Sequence, residues 1–524
     1  MNDAVAINMV MHRNSGAHFQ RQIPATNHSQ KKTCITKNKK GIQTRRVFMD
    51  FLNTTVLHAV QTINGYLADY ILVFLLLGAG LYFSFKTKWI QVRCFGEGMK
   101  RVFGNLNLNG AKQESGMSGF QALCTAIAAQ VGTGNIVGSS GAILTGGPGA
   151  IFWMWIIAFL GMSTIYAEAV LAQKTRIKDE NGEILGGPVY YITYAFKGGL
   201  GKFLAGFFAV AITIALGFFG CMVQSNSIGS TMETAFGIPS WIAGIALVVI
   251  AGFIFLGGMD RLASVTEKIV PVMAAFYLLG GLVILFANIT KVPEAFGLIF
   301  KYAFAPQAIV GGAFGAAIKK AVSQGAKRGL FSNEAGMGST PHAHAQANVK
   351  DPHEQGTVAM IGVFIDTFVV LTITALTVVI TLYTKGGILA DGTIPEAINK
   401  TNLAQTAFGT LLGEAGGNIF IAIALFFFAF STVLGWNMFG KINVCYLFGK
   451  NEKTEKIAVI VYNVISLAFI FLGTLASNDL VWELSDMFNQ LMVLPNVIAL
   501  VACGGIVASL THFSKKNKGI KVVE

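Results

Sequence analysis

Two short stretches carry the residue types from which an ion site can be made. Gly132-Thr133-Gly134-Asn135 lies in QVGTGNIVGSSGAILTGGPGAIFWM (130–154), an uncharged, largely apolar stretch crowded with glycine. Ser431-Thr432 lies in FFFAFSTVLGWNMFG (426–440), with Phe428 before it and Trp436 after it. Glycine and Thr-Gly-Asn inside an apolar run break a helix, and broken backbone at membrane depth is tolerated only where it lines a polar cavity or binds something. The N-terminal end of the resumed half-helix presents free N–H groups, which suit a carboxylate. The C-terminal end of the first half presents carbonyls, which suit a small hard cation. The alternative for these glycines is close helix packing. For Ser431 and Thr432 the alternatives are a bond back to the i−4 carbonyl or ligation of an oxygen-seeking sodium ion. Gln224 in GCMVQSNSIGS (220–230) is a buried amide that requires a partner, either a neighbouring helix or a substrate.

Other titratable residues point less clearly. Asp366 and Glu168 fall inside apolar runs; each is a functional candidate by default, with pairing to a neighbouring helix as the plainer reading. His342 and His344, spaced i, i+2 in STPHAHAQ, are read as loop residues. The six cysteines form no CxxC pair, so neither a disulfide framework nor a zinc site is expected. No phosphate-binding loop or dinucleotide fingerprint is present, and no nucleophile–base pair suggests an enzyme.

These residues have to be positioned by helices that cross a bilayer. The chain is 53% hydrophobic and 12% charged, with a mean hydropathy of +0.59, and apolar runs of bilayer length recur along it. Eleven spans are expected, at roughly 67–87, 118–144, 148–173, 202–230, 240–258, 266–288, 304–332, 358–384, 417–446, 457–476 and 483–511. Lys and Arg collect in alternate connections (Lys86, Lys88, Arg93, Lys100 and Arg101; Lys174, Arg176 and Lys178; Lys441, Lys450, Lys453 and Lys456), whereas 231–239 and 477–482 have none. This places the C-terminus in the cytoplasm and the N-terminus outside. The net charge of +13 sits mainly in those connections and in the basic residues 1–48, so no nucleic-acid partner is expected. Residues 1–48 carry nine Lys or Arg against Asp3; they read as a disordered extension upstream of a true start at Met49, with a processed targeting peptide as the alternative.

Transporters commonly repeat a unit in inverted topology with interrupted helices at matching places. The second and seventh spans are the Gly-interrupted ones, the latter through Gly311-Gly312-Ala313-Phe314-Gly315. Each opens a set of five, leaving the first span as an addition.

The combination VGTGNIVG…GGPGAIFWMW, RGLFSNEAGMGS and FAFSTVLGWN strongly resembles the alanine or glycine:cation symporter family, the sodium:alanine symporters, over residues 65–512. The resemblance implies an all-α multi-pass membrane protein of about eleven transmembrane helices. Its fold is like that of the leucine transporter, a 5+5 inverted repeat with one extra N-terminal helix. The expected divisions are 49–117 for the first helix and its connection, 118–290 and 304–512 for the repeats, and 513–524 for a basic cytoplasmic tail. It also implies sodium-driven import of alanine, glycine or a related small neutral amino acid by alternating access across the cell membrane, with no cofactor beyond the coupling ion and no obligate protein partner. Carried over by position, Thr133, Gly134, Asn135, Gln224, Phe314, Thr432 and Trp436 would bind substrate. Sodium would sit among the carbonyls of Ala128, Val131 and Phe428 and the hydroxyls of Ser431 and Thr432. Proton coupling and an ion channel are the competing readings.

Overall fold

A computed structural model describes residues 52–104, 117–178, 184–304, 314–449 and 451–511. Contacts divide the chain into residues 1–55 and 56–524; the expected extension 1–48 and tail 513–524 lie outside the described residues. Apart from one antiparallel two-residue pair, Ile177–Lys178 with Ile184–Leu185, the named elements of the second unit are helical.

Among the described residues, eight helices are long and apolar enough to cross a membrane. In chain order the helices that matter below are α1 (Thr54–Lys86), α2 (Phe95–Gly104), α3 (Gly119–Gln130), α4 (Ser139–Gly146), α5 (Gly149–Thr175), α6 (Gly199–Phe236), α7 (Ser240–Leu256), α8 (Gly258–Ala287), α9 (Phe314–Asn333), α10 (Pro341–Gln346), α11 (Pro352–Tyr383), α12 (Leu403–Leu412), α13 (Glu414–Phe448), α14 (Glu452–Gly473) and α15 (Asn478–Ala502). Of the expected eleven spans, the second is interrupted, the seventh is described only from Phe314 and is followed by a break at Glu334–Ser339, and α7 is a shorter apolar helix of 17 residues.

The long helices differ in how much they bury. Helices α5, α11 and α13 each have 72% of their most apolar window inside the protein, whereas α14 has 22% and α8 has 28%. The first three therefore form the centre, and the apolar flanks of α8 and α14 are left to the surrounding phase. Polar residues are not excluded from the centre: Gln224, Ser431, Thr432, Asp366, Glu168 and Glu334 are all fully buried. In hydrocarbon such groups persist only when partnered or when they hold a ligand.

Candidate functional site

Helix α3 starts with a reciprocal cap: Gln121 N donates to Ser118 Oγ and Ser118 N donates to Gln121 Oε1, each at 3.1 Å. It ends at Gln130, where Val131 turns out of helical geometry (φ −81°, ψ 89°). The chain resumes as one π-helical turn, Gly134–Gly138, that runs into α4. The interruption expected around Gly132–Asn135 is therefore present, falling at Val131–Gly132. Side chains take up the freed backbone N–H groups. Gly132 N donates to Asn135 Oδ1 (3.0 Å) and Thr133 N donates to Gln224 Oε1 (3.2 Å). A Cβ on Gly132 would overlap Thr432 Oγ1 and come within 3.2 Å of Gln224 Oε1, so α13 and α6 approach this point as closely as they do only because residue 132 has no side chain.

On the other side of the gap the oxygens expected to hold a cation converge. Thr432 Oγ1 lies 2.9 Å from the carbonyl of Ala128, 3.5 Å from that of Val131 and 3.0 Å from that of Phe428. Ser431 Oγ is 3.4 Å from the Ala128 carbonyl and 2.9 Å from that of Phe428, with Met273 Sδ at 3.5 Å. Each hydroxyl bonds back to the Phe428 carbonyl of its own helix, i−3 for Ser431 and i−4 for Thr432, and also reaches the last turn of α3.

At the gap, Thr133 Oγ1 and Gln224 Nε2 are buried with no hydrogen-bond partner among the described residues. Trp436 Nε1 donates to Glu334 Oε1 at 2.5 Å, and Phe331 meets the Trp436 ring edge-on with centroids 5.6 Å apart. The side chain of Phe314 lies outside the described residues. Its backbone opens α9, about 25 Å along the helix from Phe331 at 1.5 Å per residue, so the α9 aromatic set against Trp436 is Phe331. Asn135 does not project into open space: its amide donates to the Asp366 carboxylate (2.6 Å) and carbonyl (3.1 Å).

The break expected at the glycine run 311–315 falls largely outside the described residues; a second interruption is described further along the chain. Residues 311–313 lie outside the described residues, and Phe314–Asn333 is unbroken. The break falls at Glu334–Ser339, with positive φ at Glu334 (59°), Gly336 (90°) and Gly338 (81°). His342 and His344, expected in a loop, sit fully buried on the short helix α10 after it. Four hydrogen bonds lock this turn. Gly336 N and Gly338 N donate to the Glu168 carboxylate at 3.1 and 3.0 Å, Asn496 Nδ2 donates to it at 2.7 Å, and Gln130 Nε2 donates to the Asn333 carbonyl at 2.8 Å. Glu168 thus supplies the protein's own anion to the exposed N–H groups of this break, and Gln130, the last residue of α3, ties the two interruptions together. The motif SNEAGMGS carried the signal in its spaced glycines; a longer glycine run upstream drew attention away from it.

Asp366 on α11 was a candidate without an assigned place. Its oxygens accept from Asn135 Nδ2, Ser332 Oγ (3.1 and 2.9 Å) and Thr367 Oγ1 (2.8 Å). It joins the first interruption to α9 and α11, as a pairing carboxylate should, and its partners are all uncharged.

A cavity of about 610 Å³ opens beside α4, lined among others by Gly138, Asn226, Arg328, Lys400, Asp479 and Trp482. Arg328 donates two parallel bonds to Asp486 (3.0 and 2.9 Å), with Lys327 Nζ at 3.4 Å. The Arg328 guanidinium also covers the Trp482 ring at 4.6 Å, and Trp482 packs on Phe331 at 4.8 Å. Trp482, Phe331 and Trp436 therefore form a continuous aromatic path from the cavity to the second interruption. Lys400, in the loop before α12, pairs with Asp479 at 2.9 Å, and burial pulls its ammonium below the usual lysine range.

Two interrupted helices whose exposed backbone ends meet buried oxygens in the middle of a helical bundle define a secondary transporter. Comparison with known proteins gives the particular kind. The profile of the sodium:alanine symporter family matches residues 53–522. Sodium/alanine symporter AgcS of Methanococcus maripaludis is 40% identical over 88% of this chain and 97% of its own. Probable sodium/glutamine symporter GlnT of Bacillus subtilis is 38% identical over 88% of this chain and 92% of its own. The chain belongs to the sodium:alanine symporter family, a multi-pass membrane family of amino-acid:cation symporters. Among solved structures, MhsT in complex with L-phenylalanine superposes with a TM-score of 0.51 at 14% identity, covering 77% of this chain and all of that one, which shows the leucine-transporter type of fold.

Proposed function

We propose that the chain imports a small neutral amino acid, alanine or glycine, together with sodium. One observation carries the sodium assignment: two hydroxyls of α13 and three backbone carbonyls, two of them at the C-terminal end of α3, face one another across the first interruption. That donor set is all oxygen apart from the Met273 sulfur, and unwound carbonyls with half-helix C-terminal ends are how this class of fold holds a coupling ion. Ala128, Val131, Phe428, Ser431 and Thr432 are its ligands. Asp366, with Asn135 and Ser332 around it, is a second oxygen-rich position for a cation.

The amino acid binds beside it. Thr133 Oγ1 and Gln224 Nε2 are the spare polar groups at the gap, and Trp436 with Phe331 closes the apolar side, which favours a methyl-sized substrate. Sodium binding draws the carbonyls of the α3 terminus together and so shapes the adjacent gap for the substrate; no cofactor beyond the ion is required. The cavity at Trp482 is the external approach, in the orientation with the C-terminus cytoplasmic, and the Arg328–Asp486 pair with Trp482 and Phe331 forms its floor. Relatives named for alanine and for glutamine bracket the substrate range, and pocket volume decides between them.

Purified protein in liposomes, with sodium and pH gradients imposed separately, tests the reading. Saturable alanine or glycine uptake that follows the sodium gradient is expected. Uptake driven by the pH gradient alone overturns sodium coupling, and flux that does not saturate with substrate indicates a channel.

A further inference from the structure

On the face where the basic connection after α1 meets the start of α11, three ligand types come together that the transport reading does not use. Cys94 immediately precedes α2, Glu97 lies in its first turn, and His353 is the second residue of α11. The Cys94 sulfur, a Glu97 carboxylate oxygen and a His353 ring nitrogen all lie within 4.8 Å of one another. His353 Nε2 is 3.5 Å from Glu97 Oε2. Cys94 and His353 are buried, whereas Glu97 is about one-third exposed and leaves a path from solvent.

We propose that Cys94, Glu97 and His353 form a binding site for a borderline-soft divalent transition metal, with zinc as the natural occupant. A thiolate, an imidazole and a carboxylate form a donor set that suits zinc, with a fourth position left for water. The groups behind the ligands support the assignment. The other ring nitrogen of His353, Nδ1, is held by Tyr166 OH at 2.6 Å, which fixes the ring with Nε2 toward Glu97. The other carboxylate oxygen of Glu97 is held by Arg101 at 2.9 Å, leaving Oε2 to the site, and Arg101 is itself 3.3 Å from Glu354. Orienting partners of this kind are what metal-ligating histidines and carboxylates require. An occupied site would tie the α1–α2 connection to α11, a link independent of the substrate pocket.

The test uses the full-length protein in detergent, stripped of metal and titrated with Co²⁺. One equivalent per chain and a thiolate-to-cobalt charge-transfer band are expected. The band is lost in Cys94→Ser and kept in Cys445→Ser, and Tyr166→Phe weakens binding by about tenfold through loss of the orienting bond. Zinc K-edge absorption of the unmodified protein supplies a readout that no variant can confound: one sulfur neighbour at about 2.3 Å with nitrogen and oxygen completing the shell. A shell without sulfur, or a band that survives in Cys94→Ser, overturns the proposal.

Discussion

Thr432 Oγ1 stands 2.9 Å from the carbonyl oxygen of Ala128, a residue 304 positions earlier. That contact joins the middle of α13 to the last turn of α3 at the point where α3 stops. A hydroxyl and a carbonyl this close form an ordinary hydrogen bond when no ion is present. In the proposed sodium site the hydroxyl would turn its proton outward and both oxygens would become ligands. The same geometry would then satisfy two buried groups at rest and offer them to the proposed cation.

Thr432→Val keeps the shape of the side chain and removes the oxygen. The half-saturating sodium concentration for alanine uptake is expected to rise at least tenfold, equivalent to about 1.4 kcal/mol. Thr432→Ser should stay near the native value. Initial uptake rates against sodium concentration decide it; an unchanged sodium dependence in the valine variant removes Thr432 from the ion site.

Gly132→Ala places a methyl group into Thr432 Oγ1 and close to Gln224 Oε1. Overpacking of this kind typically costs about 1–3 kcal/mol, too little to prevent insertion yet enough to displace both contacts. The expected result is normal expression and monodispersity in detergent with uptake lost. Uptake at the native rate means α3 can move aside.

Gln224→Ala removes the acceptor of Thr133 N and the spare amide that faces the gap. Substrate KM should rise by more than tenfold while sodium activation changes little. Equal loss in both parameters places Gln224 in the frame of the site and not against the substrate.

Asp486 is buried between Arg328 and Lys327. Removing one partner of a buried pair leaves an uncompensated charge and costs about 3–5 kcal/mol. Asp486→Asn strands two cations and should lower thermal stability more than Arg328→Gln, which leaves Lys327 to the carboxylate. The double variant is expected to recover part of the loss, and melting of the detergent-solubilised proteins measures the order.

Asp366→Ala leaves Ser332 and Thr367 without their carboxylate acceptor and Asn135 with only the residue-366 carbonyl, at about 1–3 kcal/mol for each buried group left unpaired. Asp366→Asn keeps the bonding shape and removes the charge. If Asp366 serves a cation, the asparagine variant folds with near-native stability and requires more sodium; if it serves only as a strut, uptake by the asparagine variant is unchanged.

Much of this was legible along the chain. Apolar runs of bilayer length gave the helical class, and the residue types at 132–135 and 431–432 marked one interruption and its hydroxyl partners, because a break in an apolar helix is written locally by glycine and short polar residues. The interruption at Glu334–Ser339 was not singled out along the chain, and the glycine run that was, at 311–315, lies largely outside the described residues. What makes the described one a break is that Glu168 and Asn496, from α5 and α15, bind its freed backbone groups. The histidines after it are helical and buried for a related reason: His342 rests on Asn443 of α13, and His344 on Gln355 of α11.

Sequence by itself determined that this chain lives in a bilayer, which segments are apolar, and where one helix cannot continue; these are properties of near neighbours along the chain. Only the tertiary structure decided which buried polar groups answer one another, such as Asn135 with Asp366, Glu168 with Gly336 and Gly338, and Arg328 with Asp486. Each of these pairs lies between helices, and a residue's need for a partner fixes neither the identity of that partner nor the helix that brings it.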